Sequence, residues 1–113
     1  MPATTFAAPI LPGKTDAWQQ AINEIKGARR AEYEASRAAL GITQEIASLQ
    51  QTPDGDLVAV YIEADDPDTV IARIFTSDSA FDKWFSETLL VGVHGMDAAS
   101  PPPANAVAIR LAT

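Results

Sequence analysis

The chain has 113 residues, of which 47 % are hydrophobic, and this length and composition predict a single globular domain. It contains no cysteine, which excludes disulfides, thiolate metal sites and cysteine nucleophiles, and its net charge of −7 argues against a nucleic-acid binder. No stretch approaches the ~18 apolar residues of a membrane span and the N-terminus is not typical of a signal peptide, so we expect a soluble, cytoplasmic protein of bacterial type.

The first half of the chain predicts a strand, a long helix and a hairpin. Residues 4–11 alternate weakly between apolar and polar and end at a Pro-Gly pair, as a short strand would. Thr15 or Asp16 offers a capping oxygen for a long alanine-rich helix, which Gly41 ends. Two extended runs, residues 42–51 and 56–63, flank a Thr-Pro-Asp-Gly stretch that is typical of a hairpin turn.

The second half predicts a pair of helices, a loop and a last strand. Asp66 followed by Pro67 indicates a helix start, since the aspartate can cap and the proline is preset for the first turn. Ser79 can cap a second helical piece. The three prolines at 101–103 require a loop, and residues 107–111 alternate again as a strand would.

The element order of strand, helix, two strands, helix pair and strand predicts a ferredoxin-like α+β fold spanning residues 1–113. This split βαβ sandwich has a four-stranded antiparallel sheet with its helices on one face. The face under the helices is expected to carry alternate residues of the third and last strands: Val58, Val60, Ile62, Val107, Ile109 and Leu111.

The opposite face of the predicted sheet indicates a homodimer. It would carry Leu57, Ala59, Tyr61 and Glu63 on the third strand, and Ala106, Ala108 and Arg110 on the last. Because the part near Leu57 and Ala59 is too apolar to be left open, a second copy packed sheet to sheet is the expected cover. Such a dimer encloses a small cavity near Tyr61, Glu63 and Arg110.

Three stretches carry a resemblance to a known superfamily: PILPGKTDAW after the first strand, LVAVYIEADDP before the second helical region, and FDKWFSETLLVGVHG at its end. With the element order and length, they resemble the dimeric α/β-barrel superfamily of ferredoxin-like proteins, and most closely a group of short bacterial members without an assigned function. The superfamily includes haem-degrading and cofactor-free monooxygenases, small lactone isomerases, chlorite dismutase-like proteins and ligand-sensing domains. The resemblance therefore implies a dimeric fold but no single function.

His94 is the one histidine of the chain, and its role has two interpretations. Its ordinary pKa suits a general base, and its ring could also serve as an axial haem ligand. The alternative is a histidine at a helix end that interacts with the terminal carbonyl groups and the helix dipole. With no cysteine and no second histidine, we expect no metal site and no cofactor.

Tyr61, Glu63 and Arg110 are the candidate ligand-binding residues, and Glu63 and Tyr61 join His94 as catalytic candidates. Glu63 could act as a base, Tyr61 as an acid or anchor, and Arg110 as a carboxylate or oxyanion clamp. The alternative is an interface tyrosine beside a salt bridge.

Other aromatic residues are expected to be structural. Four of them, at helical spacing, predict core more readily than a pocket: Trp18, Phe81, Trp84 and Phe85. Tyr33, with Arg29 and Arg37 one turn away on either side, resembles an anion site, but an exposed, charge-paired helix face is the preferred interpretation.

Three functions fit these observations. The first is a protein that binds a small hydrophobic or aromatic molecule in a cavity over the sheet face, without chemistry of its own. The second is a small monooxygenase-like or isomerase-like enzyme that uses His94, Tyr61, Glu63 and Arg110. The third is a structural interaction module whose sheet face is consumed by the dimer.

Overall fold

The structure is a computed structural model, and it describes residues 2–111. In that part of the chain three strands and four α-helices follow one another in the order β1 (Ala3–Pro9), α1 (Thr15–Lys26), α2 (Arg30–Ala39), β2 (Ile42–Thr52), β3 (Gly55–Ala64), α3 (Val70–Thr76) and α4 (Ala80–Phe85). A 3-10 turn (Pro67–Thr69) precedes α3, and a π-helix (Ser86–Val91) continues α4. No helix among these residues is long and apolar enough to cross a membrane.

The strands form one antiparallel sheet in the order β1-β3-β2, with β3 in the centre. Thr52 pairs with Gly55, so Pro53 and Asp54 form a two-residue loop, and the predicted hairpin turn is confirmed. The Thr52 hydroxyl donates to the Gly55 carbonyl at 2.6 Å and accepts from the Asp54 amide at 3.3 Å, which holds the loop closed.

The prediction of a four-stranded ferredoxin-like sheet is wrong, because the described sheet has three strands. The C-terminal segment meets β1 at a single bridge, where the Asn105 amide donates to the Thr5 carbonyl at 2.8 Å. The prolines at 101–103 supply no amide donors before this point, and the chain beyond Asn105 forms no strand within the described residues. Ile109 and Leu111 are 89 % and 86 % exposed, so their predicted place in the core is also wrong, as is that of Val107 at 52 %.

The helices cover one face of the sheet, and the core lies between the two layers. Val58 and Ile62 on β3 are buried on this face and Val60 packs against the core, as the alternation of the third strand predicted. From β1, the same face receives Phe6 and Ala8.

The long helix predicted between Asp16 and Gly41 is two helices, with a break at residues 27–29. The Gly27 amide shares the carbonyls of Asn23 and Glu24 at 3.1 and 3.2 Å, which ends α1. The inner side of α1 is apolar, with Trp18, Ala21 and Ile25 buried, whereas the buried residues of α2 are Ser36 and Arg37. The break lets each helix direct its own inner side at the sheet.

The second helical region begins at Pro67, as predicted, but with a 3-10 turn that lacks the predicted cap from Asp66, and it ends in a widened turn. The Asp66 side chain makes no cap hydrogen bond at the 3-10 turn, whereas Ser79 caps α4 by accepting from the Asp82 amide at 3.0 Å. In the π-helix, the Gly92 amide donates to the Glu87 carbonyl at 3.1 Å, five residues back. A Cβ on Gly92 would lie 2.6 Å from the Thr88 carbonyl oxygen, so this close turn requires glycine.

After the π-helix the chain folds back toward the end of β1. Gly95 has a φ of 64°, which favours glycine and turns the chain. The Leu11 amide donates to the Val93 carbonyl at 2.8 Å, and Val93 is buried. This return places His94 beside Pro9.

Candidate functional site: a cavity between the sheet and the helices

A cavity of about 340 Å³ lies between the covered face of the sheet and the helices. This volume falls at the lower end of the range of ~300–1,000 Å³ that small-molecule sites occupy. Its walls are largely apolar and include Phe6, Trp18, Val60, Ile74, Phe85 and Leu89.

The composition of α2 accounts for this space. Apart from Tyr33, the helix carries no large apolar side chain, since its other residues are alanine, serine, glutamate and arginine. The alanines of α2 are exposed and do not line the cavity, so long polar side chains and Tyr33 occupy its inner side and span the gap to β2. The α2 residues that border the cavity are Arg30, Tyr33 and Arg37.

Arg37 and Glu45 form a buried ion pair in the cavity wall, between α2 and β2. The Arg37 Nε donates to Glu45 Oε1 at 2.7 Å and its Nη2 to Oε2 at 3.4 Å, and the two side chains are 7 % and 15 % exposed. The guanidinium carbon lies 4.8 Å from the ring centre of Tyr33 and 4.5 Å from that of Phe85. The planar guanidinium group of arginine suits both the two-pronged pairing with a carboxylate and the stacking on aromatic rings, so this position in the cavity wall favours arginine.

The pair extends into a network that joins α2 to α4. The Arg37 Nη1 donates to the Ser36 hydroxyl at 3.1 Å, and that hydroxyl donates to Asp82 Oδ1 at 2.5 Å. The Tyr33 hydroxyl donates to Glu45 Oε1 at 2.7 Å. Burial, with the neighbouring Glu45 carboxylate, raises the pKa of Tyr33 to about 12, so its hydroxyl stays protonated and is not a base at neutral pH.

His94 lines the same cavity at the β1 end. Its Nδ1 lies 2.9 Å from the Pro9 carbonyl oxygen, and because a carbonyl only accepts, Nδ1 carries the hydrogen. In the neutral ring, Nε2 is then the acceptor. Burial lowers the pKa of His94, and the hydrogen bond to Pro9 opposes this shift.

The cavity therefore has a different polar group at each end. Pro9, which holds His94, pairs with Leu57, whereas Glu45 pairs with Ile62 on the same central strand. Five residues of strand separate these positions, or roughly 16 Å. The histidine and the Arg37–Glu45 pair do not act on one atom, but both can contact one elongated ligand.

Tyr61, Glu63 and Arg110 lie together on the open face of the sheet. The Tyr61 hydroxyl donates to Glu63 Oε2 at 2.7 Å, and Arg110 Nη2 approaches the same oxygen at 3.5 Å. The hydrogen bond to Glu63 raises the pKa of Tyr61. None of the three lines the inner cavity, so their role in ligand binding stays a prediction.

The aromatic residues divide between core and cavity. Phe81 is buried at the centre of a cluster, with ring centres of Trp84 and Phe85 at 5.6 and 6.1 Å, as the core interpretation predicted. Trp18 and Phe85 line the cavity as well.

Sequence reasoning missed the Arg37–Glu45 pair, and the exposed helix face predicted around Arg37 is wrong because that side chain is buried. The sequence signal that could have found this pair was a combination of the helical and the strand periodicity. Tyr33 and Arg37 share a helix face by their spacing of four, and Glu45 shares a strand face with Leu49 by alternation. Neither period shows by itself that the two faces meet.

Among residues 2–111, no group of three or more histidine, aspartate or glutamate side chains is placed to hold a metal ion. Comparisons with family models, curated proteins and solved structures found no match. The resemblance to the dimeric α/β-barrel superfamily therefore stays a prediction from the sequence.

Replacing Glu45 by alanine is expected to lower the free energy of unfolding by about 3 kcal/mol, because Arg37 then keeps a buried, uncompensated charge. Glu34→Ala is the control, since it breaks the exposed Arg30–Glu34 pair and should cost under about 1 kcal/mol. Urea unfolding monitored by tryptophan fluorescence measures both. Equal losses in the two variants would contradict the buried network.

The pKa of His94 is expected to lie below its ordinary value of about 6.5, because burial penalises the charged ring. Its contribution to stability is then complete above that pH and falls as the pH drops through the lower folded-state pKa, since the unfolded chain takes up the proton first. Ring ¹⁵N spectra should show Nδ1 protonated and Nε2 bare. A titration midpoint above that of a model peptide, or the opposite tautomer, would overturn this assignment.

Proposed function

We propose that the protein binds a small hydrophobic or aromatic molecule in the cavity between the sheet and the helices. The observation that carries this proposal is a cavity of about 340 Å³ whose walls are mainly apolar. The polar side chains in its α2–β2 wall already satisfy one another, so an apolar guest leaves none of them without a partner.

The proposed site differs in position from the one expected from the sequence. That expectation placed the cavity over the open sheet face, between two copies of the chain. The inner cavity needs one copy only, and it contains His94 in its own subunit.

The proposal predicts that 2-naphthol, a neutral fused-ring probe, binds with an affinity that depends on the mouth of the cavity. Ala47 is an exposed lining residue on β2, so Ala47→Leu narrows the entrance and should weaken binding about tenfold. Ala38→Leu, on an exposed α2 position that does not line the cavity, is the matched control. Isothermal titration calorimetry measures both.

Equal affinity of the two variants would place the probe elsewhere and contradict the proposed site. Absence of binding of both 2-naphthol and its carboxylate analogue 2-naphthoate up to their solubility, in a protein that is dimeric, would favour the third function, an interaction module without a ligand.

We also propose that a second copy covers the open sheet face. Ile46 on β2 is 47 % exposed there, beside Tyr61 on the neighbouring strand, and Ala59 is exposed on the same face. Apolar groups that adjoin on a sheet face favour a sheet-to-sheet homodimer, in which Tyr61, Glu63 and Arg110 would lie at or near the interface.

Sedimentation equilibrium is expected to give a dimer at micromolar concentration, and Ile46→Lys should shift it to monomer, because the new charge would be buried. Gln50→Lys adds the same charge at the end of the same strand face and should disturb the dimer less. A monomeric unmodified chain would remove this proposal.

An enzyme is the second candidate, and the position of His94 favours it. His94 lines the mainly apolar cavity, and with Nδ1 held by Pro9 its Nε2 is the ring atom that could accept a proton from a substrate in a monooxygenase-like or isomerase-like reaction. Unchanged His94 ring signals on addition of 2-naphthol would exclude its contact with the ligand. A cytoplasmic location stays a prediction from the sequence.

A further inference from the structure

The mouth of the cavity carries a group of cationic side chains, which we call the basic rim: Lys26 and Arg30. Lys26 is the last residue of α1 and Arg30 the first of α2, so the break between the helices places both at one opening. Both are exposed and both line the cavity. Ala47, exposed on β2, borders the same cavity.

We propose that the ligand is an amphiphilic anion, whose apolar body occupies the cavity and whose carboxylate, or an equivalent acidic group, binds the basic rim. This proposal rests on the proposed function and specifies the class of its ligand. The positive charge of the basic rim indicates the acidic group of the ligand. The apolar cavity walls indicate its hydrophobic body.

The charges that border the cavity support an anion over a cation. Three of them are positive, Lys26, Arg30 and Arg37, and one is negative, Glu45. The whole chain carries a net charge of −7, but charges beyond a screening length of about 8 Å contribute little in physiological salt. Glu34, paired with Arg30 at 2.7 Å, lies within this length and reduces the excess among these charges from two to one. The remaining positive charge favours an anion over a cation at the mouth.

The basic rim is available for an incoming group, whereas Arg37 is not. Arg37 is buried and committed to Glu45 and Ser36. The partner of Arg30 is Glu34, at 2.7 Å, with side chains 59 % and 62 % exposed. An exposed pair of this kind contributes under about 1 kcal/mol, so a ligand carboxylate can replace Glu34.

Lys26 gives the second contact. No carboxylate of residues 2–111 lies within ion-pair distance of its amino group. A carboxylate bridging Lys26 and Arg30 would meet one ammonium and one guanidinium group, both of which form charge-assisted hydrogen bonds. Further inside, the polar groups at the α2–β2 end are paired with one another, so the acidic group of the ligand has its partners at the mouth.

The experiment compares 2-naphthoate with 2-naphthol, which share one ring system and differ in charge near pH 7. Titration calorimetry of the unmodified protein should give a dissociation constant about tenfold lower for 2-naphthoate. The variant Lys26→Gln/Arg30→Gln should lose that preference while its affinity for 2-naphthol stays within about twofold. Raising the salt from about 0.02 M to about 0.3 M should weaken 2-naphthoate alone.

Lys14→Gln/Lys83→Gln is the matched control, because it removes two exposed positive charges that do not line the cavity. It should keep the preference for 2-naphthoate. If 2-naphthol binds and 2-naphthoate binds no more tightly, or if both double variants lose the preference equally, the anion proposal is overturned while the binding function stands. If neither probe binds, the proposed function fails together with it.

Discussion

The arrangement of this protein depends on how α2 is attached to the sheet. Most surface helices bury an apolar stripe, but α2 offers Arg37 and Ser36 to the interior and secures them through Glu45 and Asp82. A buried ion pair contributes little net free energy to folding, because the cost of removing water from the two charged groups offsets the attraction between them. Its value here is geometric: the two-pronged contact fixes α2 at one distance from β2.

That distance explains the cavity. Arginine and tyrosine side chains hold the helix away from the strand, and apart from Tyr33 no apolar side chain of α2 borders the space between them. On the other side of the break, α1 closes the core with Trp18, Ala21 and Ile25. The same break brings Lys26 and Arg30 to the opening. The change in composition between α1 and α2, within a segment that was predicted as one helix, thus accounts for the polar cavity wall, the cavity itself and the basic rim.

The sequence predicted the elements of this fold well where one period governs a segment. The alternation of Val58, Val60 and Ile62 identified the central strand and its buried side, and Ser79 was correctly taken as a cap. It failed for residues 107–111, because alternation indicates that a segment can form a strand and not that an edge accepts it. Among the described residues of this segment, Asn105 alone pairs with β1, and residues 106–111 form no strand.

The candidate site was harder to predict for the same reason. His94 was selected as the single histidine, but its contact with Pro9 depends on the π-helix and the turn at Gly95, which no periodic pattern encodes. The ion pair joins a residue of α2 to a residue of β2. The sequence pattern identifies the face of each element, but it does not show that these two faces pack against each other. Tyr61 and Glu63 were correctly placed on one strand face because that depends on alternation alone.

The polar attachment of α2 also has a consequence for motion. When a helix held by apolar contacts detaches, it exposes hydrocarbon to water, whereas detachment of α2 returns Arg37 and Glu45 to full hydration. We infer that α2 opens from the sheet at lower free energy than α1, so its amide hydrogens exchange with solvent sooner than those of α1. Opening of the α2 wall would admit a ligand that is wider than the mouth of the closed cavity, and amide exchange in α2 slower than in α1 would rule this entry route out.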